Sequence, residues 1–521
     1  MQKLKFTMAL TPARQSGGYS QKLSVRSIDL SSGKLIAVLN EIDARELGIF
    51  PLDRLEITNP ENGRSANAVV DVTDSIIGEN SIGMFRELSQ LLGVRDGSAV
   101  KCNAAPKPRS VGFVKKKMDG GRLSQEELSC IIEDISSNRL SEIETTAFVS
   151  AVYMREFDLD ETVAMTKALI ENGRKLELSS KTVVDKHSIG GTNGRATMII
   201  VPIIAAAGYA IPKTSSRSIT SAAGTADSME VLANVSLQLG AIKRVVEKTN
   251  GCIAWGGAVE LAPADDKIIK IEHPLSLDPE GQVIASVMAK KASVGAKYVV
   301  IDIPVGPYVK VRTREKAEQM ALKFVEVGKH LGMKVEVLLT NGTEPSGKAF
   351  GPALEAKYAL EILEGRFFDN LARKSVEISG ALLELTGDVP KGQGYAVSLD
   401  ILQSGKALQK MKEIISEQGA RALSSQDIKT APYKKEVLSV QNGEISTINV
   451  GYLNHIARLA GAPANQKAGV MLDAEQGASV TKGTVLFEIY AENEAKLDAA
   501  YEFAIRNRVV EFATIIIGKF D

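Results

Sequence analysis

The chain has 521 residues, and its 63 lysines and arginines balance 63 aspartates and glutamates, so the formal net charge is zero. Hydrophobic residues at 44% and charged residues at 24% are ordinary soluble-globular values, and the length allows three or four domains with substantial cores. These values exclude a disordered tail, a collagen-like chain and a disulfide scaffold. The charge balance argues against duplex nucleic acid and anionic membranes as partners.

In chain order, residues up to Gly17-Gly18 lack the apolar segment of a signal peptide and read as a frayed terminus. From about 20 to 103 the pattern is one of short strands: Leu35–Leu39, Leu55–Ile57 and Val69–Val72, separated by turn clusters such as Asn59-Pro60-Glu61-Asn62-Gly63. This predicts an N-terminal β-rich domain over 1–103. Ala104-Ala105-Pro106-Lys107-Pro108 follows as an extended linker.

Ser124 with Glu127 and Ser141 with Glu144 are capping boxes, and Asp158 with Glu161 repeats the device. Leu128, Ile131, Ile132 and Ile135 then recur at helical spacing. A helical domain over 109–180 is expected, with a helical insertion near 261–293. The longest mainly apolar run, 196–207, is about half a membrane span and contains Pro202, so it reads as a buried helix.

Between 181 and 425 the pattern alternates. Val183-Val184 leads into Lys186-His187-Ser188-Ile189-Gly190-Gly191 and the apolar helix. Tyr298–Ile303 and Val335–Leu339 read as strands around a helix over Thr313–Leu331, and Gly351-Pro352 opens another helix. Such alternation predicts an α/β domain with a mixed, mostly parallel sheet. A C-terminal α+β domain over 432–521 is expected from the strands Gly469–Asp473 and Thr484–Tyr490 and the helix Glu494–Arg506.

Cys102, Cys130 and Cys252 are scattered, an odd count that suits a reducing cytoplasm. His187, His273, His330 and His455 are also dispersed, and no metal site is predicted. Two loops stand out. Lys213 to Thr225 is crowded with hydroxyls and carries Arg217 and Gly224, which together offer the amides, hydroxyls and guanidinium that a phosphate dianion needs. The same residues also suit a polar loop with Ser/Thr caps. In the second loop, Lys186 and the glycine pair 190–191 lack the spacing of a Walker loop or a GxGxxG fingerprint. Placed on successive strand–helix units, however, both loops would reach one carboxyl edge of the sheet.

The pairing of DKHSIGG with TSSRSITSAAGTADSMEVL resembles the thymidine phosphorylase family of nucleoside phosphorylases, on its archaeal AMP phosphorylase branch. Trp255-Gly-Gly-Ala258, Ala262-Pro-Ala-Asp-Asp266, Pro274–Pro279, Ala285–Lys291 and Gly351–Glu355 extend the resemblance from about Pro108 to the C-terminus. It implies an α-lobe and an α/β lobe that close on substrate, and reversible phosphorolysis of a nucleotide or nucleoside. Inorganic phosphate is then a substrate, and no metal or organic cofactor is required. It also implies a homodimer or larger homo-oligomer.

By match to the family's motifs, Lys186, Ser188, Ser215 and Thr225 would hold the attacking phosphate, with Thr197 at a position where relatives carry another hydroxyl. Gly190, Ser216, Arg217, Ser218, Ile219, Thr220, Ser221, Thr225, Ser286 and Lys310 would contact the nucleotide. Asp278 would protonate the leaving base, whereas read without the family it is a turn residue before Pro279. Three departures stand near these positions: Ser218 where the branch carries Ala, a Thr192-Asn193-Gly194 turn shorter by one residue, and Ile271 where thymidine phosphorylases hold the pyrimidine with Arg. The last favours AMP, with CMP and UMP left open. A thymidine phosphorylase and a non-catalytic nucleotide-binding regulator are the rival readings.

Overall fold

The computed structural model describes residues 19–105, 107–178, 181–190, 195–218, 221–259 and 261–513. The chain divides into two compact units, Met1–Arg155 and Glu156–Asp521.

In the first unit, strands Ser20–Ile28, Ile36–Asn40, Arg54–Thr58, Ser65–Thr73, Ser81–Phe85 and Ala99–Ala104 close into a barrel. Alternation drives the closure: Leu23 and Val25, Leu55 and Ile57, Ile82 and Met84, and Val100 and Cys102 all point inward and are fully buried. A closed barrel leaves no strand edge exposed. Two short helices, Glu41–Leu47 and Arg86–Leu92, interrupt the strands that the alternation predicts. Asn40 caps the first through its side chain, and Gly48 and Gly93 end both in left-handed geometry. The unit continues with helices Ser110–Met118, Gln125–Ser136 and Glu142–Met154, and the boxes at Ser124 and Ser141 both form.

The third box, Asp158 with Glu161, opens helix Leu159–Glu171 in the second unit. The boundary between units therefore falls inside the 109–180 segment expected as one helical domain. The physical reason is burial: Val163, Ala164, Met165, Ala168 and Leu169 leave this helix little polar surface, and it packs on helix Glu280–Ser293.

Strands Val184–Ser188, Tyr298–Val305 and Lys334–Asn341 form a parallel sheet with Tyr298–Val305 in the middle. A parallel pair, Ile211–Ser215 with Gly251–Trp255, continues from it through the bridge between Val183 and Ala210. Helix Ala196–Ala206 is buried on almost every side, as its composition predicts, with Pro202 inside it. All five strands point their carboxyl ends the same way, so the turns after Ser188, Ser215 and Val305 share one edge.

Helices Pro263–Leu275 and Glu280–Ser293 occupy the expected insertion. Strand Ala349–Phe350 joins three strands from beyond residue 430, Gly469–Leu472, Val485–Ala491 and Tyr433–Leu438, in an antiparallel sheet that packs with helices Val450–Leu459 and Glu494–Arg506. Among the described residues, no helix is long and apolar enough to cross a membrane.

Candidate active site

The first strand of the parallel sheet brings four polar residues to the carboxyl edge in sequence: Asp185, Lys186, His187 and Ser188. Asp185 is fully buried and serves two lysines, accepting from Lys291 Nζ at 2.6 Å and pairing with Lys213 Nζ at 3.7 Å. Burial pushes the Lys213 ammonium well down, and Lys291 and Lys186 add to the effect against the pull of Asp185. Next to them the imidazole of His187 is held neutral, first by desolvation and then by the charges of Lys291, Lys213, Lys186 and Lys290. A neutral ring suits a hydrogen-bonding role.

Lys186 differs from its neighbours. It is 4% exposed, yet its ammonium has no hydrogen bond or ion pair among the described residues. Desolvation brings it down to about 8, opposed by Asp302 and Asp185 and assisted by Lys374 and Lys291. Asp302, on the middle strand directly opposite Ser188, is already committed. It accepts from Ser188 Oγ at 2.7 Å, pairs with Lys374 at 3.1 Å and accepts from the Thr340 hydroxyl. The structure thus presents a buried cation whose nearest carboxylates are used elsewhere, at a sheet edge where a dianion would complete its coordination.

The hydroxyl-rich loop follows strand Ile211–Ser215 and leads into helix Thr225–Leu232. Asp227 organises it from within that helix: one carboxylate oxygen accepts from Ser218 N at 2.7 Å and Gly224 N at 2.8 Å. Gly224 is required sterically, because a Cβ there would stand 2.5 Å from the Ser216 carbonyl oxygen. The C-terminal helix Val450–Leu459 braces the far side, where Asn454 accepts from Ala222 N at 2.9 Å.

Within this loop Ser215, Ser221 and Thr225 are partly buried and Ser216 is exposed. The Ser218 hydroxyl turns inward to the Ser221 carbonyl. Arg217 does not present the open fork expected of it. Its guanidinium donates to Glu230 at 2.6 and 2.9 Å and to Asp227 at 3.1 Å, with its carbon 5.0 Å from the Trp255 ring centroid. The cause is local: Glu230 lies in the second turn of the following helix, within reach of the side chain. Arg217 therefore stiffens the loop, and the groups left to a ligand are hydroxyls and the start of a helix. Ile219 and Thr220, and the 192–194 turn, lie outside the described residues.

A third group of residues faces the same edge. Ser286 Oγ donates to Asp265 at 2.7 Å, and Lys290 pairs with the same carboxylate oxygen at 2.7 Å. Beside them, burial lifts Asp266 to about 6 and lowers Lys267 to about 8. Gly190, at φ +53°, lies against Lys310, whose Cβ would be 2.2 Å from any Cβ placed there. Lys310 Nζ in turn pairs with Asp278 at 2.5 Å. Asp278 sits in the turn after helix Pro263–Leu275 with its side chain 57% exposed. The pair must open before either residue can serve a nucleotide.

The structure therefore gathers Lys186, Ser188 and Gly190 with Lys310 and Asp278, and joins Ser286 to Lys290 through Asp265. Residue chemistry alone missed Asp302, Lys374, Lys213 and Asp265, whose partners lie 21 to 114 residues away in the chain. Asp265 and Asp266 carried a signal, as part of the APADD segment.

Comparison with known proteins gives the frame for this geometry. The chain is 45% identical over 496 residues to AMP phosphorylase 1 of Archaeoglobus fulgidus, covering 95% of this chain and 98% of that protein. The AMP phosphorylases of Methanococcus maripaludis strain C7 and Methanocella arvoryzae are each 43% identical, over 96% of this chain and 99% of theirs. The chain belongs to the AMP phosphorylase family.

Within that family membership, residues 111–173 match the helical bundle domain of a glycosyl transferase family and 180–408 its a/b domain. Residues 444–510 match the pyrimidine nucleoside phosphorylase C-terminal domain. The fold is also that of anthranilate phosphoribosyltransferase from Thermus thermophilus, with TM-score 0.51 and 19% identity, over 58% of this chain and 98% of that one. The Saccharomyces cerevisiae enzyme in complex with PRPP and Mg gives 0.50 at 14% identity, over 60% and 98%.

Proposed function

We propose that this chain catalyses the reversible phosphorolysis of AMP by inorganic phosphate, giving adenine and ribose 1,5-bisphosphate, with CMP and UMP as further candidate substrates. The observation that carries the reading is Lys186, a buried ammonium at the sheet edge with no partner of its own among the described residues.

In this reading phosphate takes that place, held by Lys186 and by the hydroxyls of Ser188, Ser215 and Thr225. Ser188 must release Asp302 to donate to the dianion. The nucleotide's own phosphate is met by Ser216, by Ser218 and Ser221 once their hydroxyls leave the Ser221 and Ala223 carbonyls, and by the loop amides and Lys310, while Arg217 keeps the loop in shape. A phosphate oxygen then bonds to C1′ as the C1′–N bond breaks, and the glycosidic electron pair passes to the base. Lys310, drawn toward the nucleotide, frees the Asp278 carboxylate, which takes up a proton from solvent and passes it to a base nitrogen. That transfer removes the charge accumulating on the leaving group. Phosphate is a substrate, and no cofactor enters the reaction. The protein is read as a cytoplasmic homo-oligomer, a dimer or larger.

The test is incubation of the purified protein with phosphate and either AMP or thymidine, following free base by chromatography. Adenine release is expected. Thymine without adenine would make it a thymidine phosphorylase instead, and no base from either would favour a non-catalytic nucleotide-binding protein.

A further inference from the structure

Helix Pro263–Leu275 carries Asp265 and Glu272 seven residues apart, two turns along one face. Their carboxylates are used very differently. Asp265 is saturated by Ser286, by Lys290 and, at 3.5 Å, by Gln282 Nε2. Glu272 is only 8% exposed, and its carboxyl makes no hydrogen bond or ion pair among the described residues. Its Oε1 is sealed from solvent without a partner. Buried polar side chains are nearly always satisfied, so an orphan beside the proposed base site calls for a partner, either a ligand or an ordered water. Gln282 repeats the signal: it is 3% exposed and its Oε1 is also unpartnered. Two acceptors in the same neighbourhood are thus left waiting for N–H donors.

The position is informative as well. Asp265, with Ser286 and Lys290, stands on one side of Glu272, and Asp278 with Lys310 on the other. The charged groups facing Glu272 are Asp265 on its own helix, Asp278 in the following turn, Lys310 from the loop after the middle strand, and Lys290 from helix Glu280–Ser293. Burial, then the charges of Asp265 and Asp278, lift Glu272 to about 8, so it carries a proton at neutral pH. A protonated carboxyl presents one O–H donor beside one acceptor. The amino-bearing edge of adenine presents the complement, a ring nitrogen beside an exocyclic N–H, the same pattern that a Gln or Asn amide reads.

We propose that Glu272 is a specificity-determining residue that reads the amino-bearing edge of the leaving base, its carboxyl O–H donating to a ring nitrogen and its other oxygen accepting from the exocyclic amine. Gln282 supplies a further acceptor. This rests on the phosphorolysis reading above and adds to it the feature by which the base is chosen.

The experiment compares AMP with purine riboside 5′-monophosphate, which has the same ring but no exocyclic amine, as substrates for the wild-type protein, Glu272→Gln and Glu272→Leu. The amide keeps a donor and an acceptor, so Glu272→Gln is expected to hold kcat/KM for AMP within about three-fold. Glu272→Leu is expected to lose at least about ten-fold with AMP and less with the amine-free substrate, because both leave the ring nitrogen unmet but only AMP also leaves an N–H donor unmet. In the wild type the AMP preference is expected to rise as pH passes through about 8, because deprotonation removes the O–H that serves the ring nitrogen of both substrates while the carboxylate accepts more strongly from the amine that only AMP carries, whereas in Glu272→Gln it stays level. Taking the ratio of the two substrates cancels titration at the phosphate site. Equal losses with both substrates, or none, would overturn the assignment, as would a pH-independent preference in the wild type. That last measurement needs no folded Leu variant. If the wild type releases base from neither substrate, the phosphorolysis reading falls and the assignment with it. If it turns over AMP but the ratio never moves, the assignment alone falls.

Discussion

Replacing Lys186 with Gln removes the buried charge on which the proposed phosphate site is built. At about 4 Å and an effective dielectric near 20, each unit charge on a phosphate attracts the ammonium by about 4 kcal/mol, so a dianion gains up to about 8. Against this stands the cost of keeping a desolvated lysine charged. Lowering from 10.5 to about 8 corresponds to about 3 kcal/mol. The remainder, about 4–5 kcal/mol, predicts a loss of roughly a thousand-fold in kcat/KM for phosphate. Steady-state kinetics with phosphate varied at saturating AMP measures it. The sign with pH follows from the same residue. Its pKa is depressed, so the ammonium is lost as pH climbs through about 8, and the KM for phosphate should rise above that point. Glu272 titrates in the same range but acts on the base, so KM for phosphate at saturating AMP separates the two. A Gln variant within about five-fold of wild type, or one that changes only the KM for AMP, would refute the reasoning.

Other substitutions probe the rest of the site. Asp278→Asn should lower turnover by about a hundred-fold or more while leaving AMP affinity, measured by equilibrium dialysis, nearly intact; unchanged turnover would remove it as proton donor. Gly190→Ala forces a Cβ to 2.2 Å from the Lys310 Cβ at a left-handed φ, and should cut kcat/KM for AMP at least ten-fold, by order of magnitude, and lower the denaturation midpoint as well. Asp185→Asn strips Lys213 and Lys291 of their shared buried counter-ion and should destabilise the fold by about 3–5 kcal/mol in denaturant titrations.

What the sequence made legible was local. The three capping boxes, the Thr313 cap before helix Arg314–His330 and the proline opening Pro352–Leu363 depend on residues a few positions apart, and the structure forms each of them. The hydroxyl loop and the lysine-bearing strand end were visible for the same reason, and parallel topology was enough to bring them to one edge. The helix Glu41–Leu47 was missed although Asn40 and two acidic residues in its first turn announce it, because it is shorter than the window in which helical periodicity can be seen. Strands Tyr433–Leu438 and Gly443–Ile448 were also missed, since each is half exposed and owes its pairing to segments about 50–70 residues away.

Charge was the least legible property of the site. Arg217, Lys310 and Lys186 all read as free cations, yet the first two are paired with Glu230 and Asp278, and only tertiary structure separates them from the third. Likewise nothing near Glu272 in sequence distinguishes it from Asp265, which has three partners where Glu272 has none among the described residues. A chain of zero net charge accommodates two anionic substrates because buried lysines outnumber their carboxylate partners locally, at one sheet edge.

The most direct test of phosphorolysis is the fate of the phosphate itself. AMP is incubated with 18O-labelled inorganic phosphate and the sugar product is weighed by mass spectrometry. Ribose 1,5-bisphosphate carrying the label in one of its two phosphates, formed in step with adenine, is the predicted result. Unlabelled ribose 5-phosphate, or base release that does not depend on added phosphate, would contradict it.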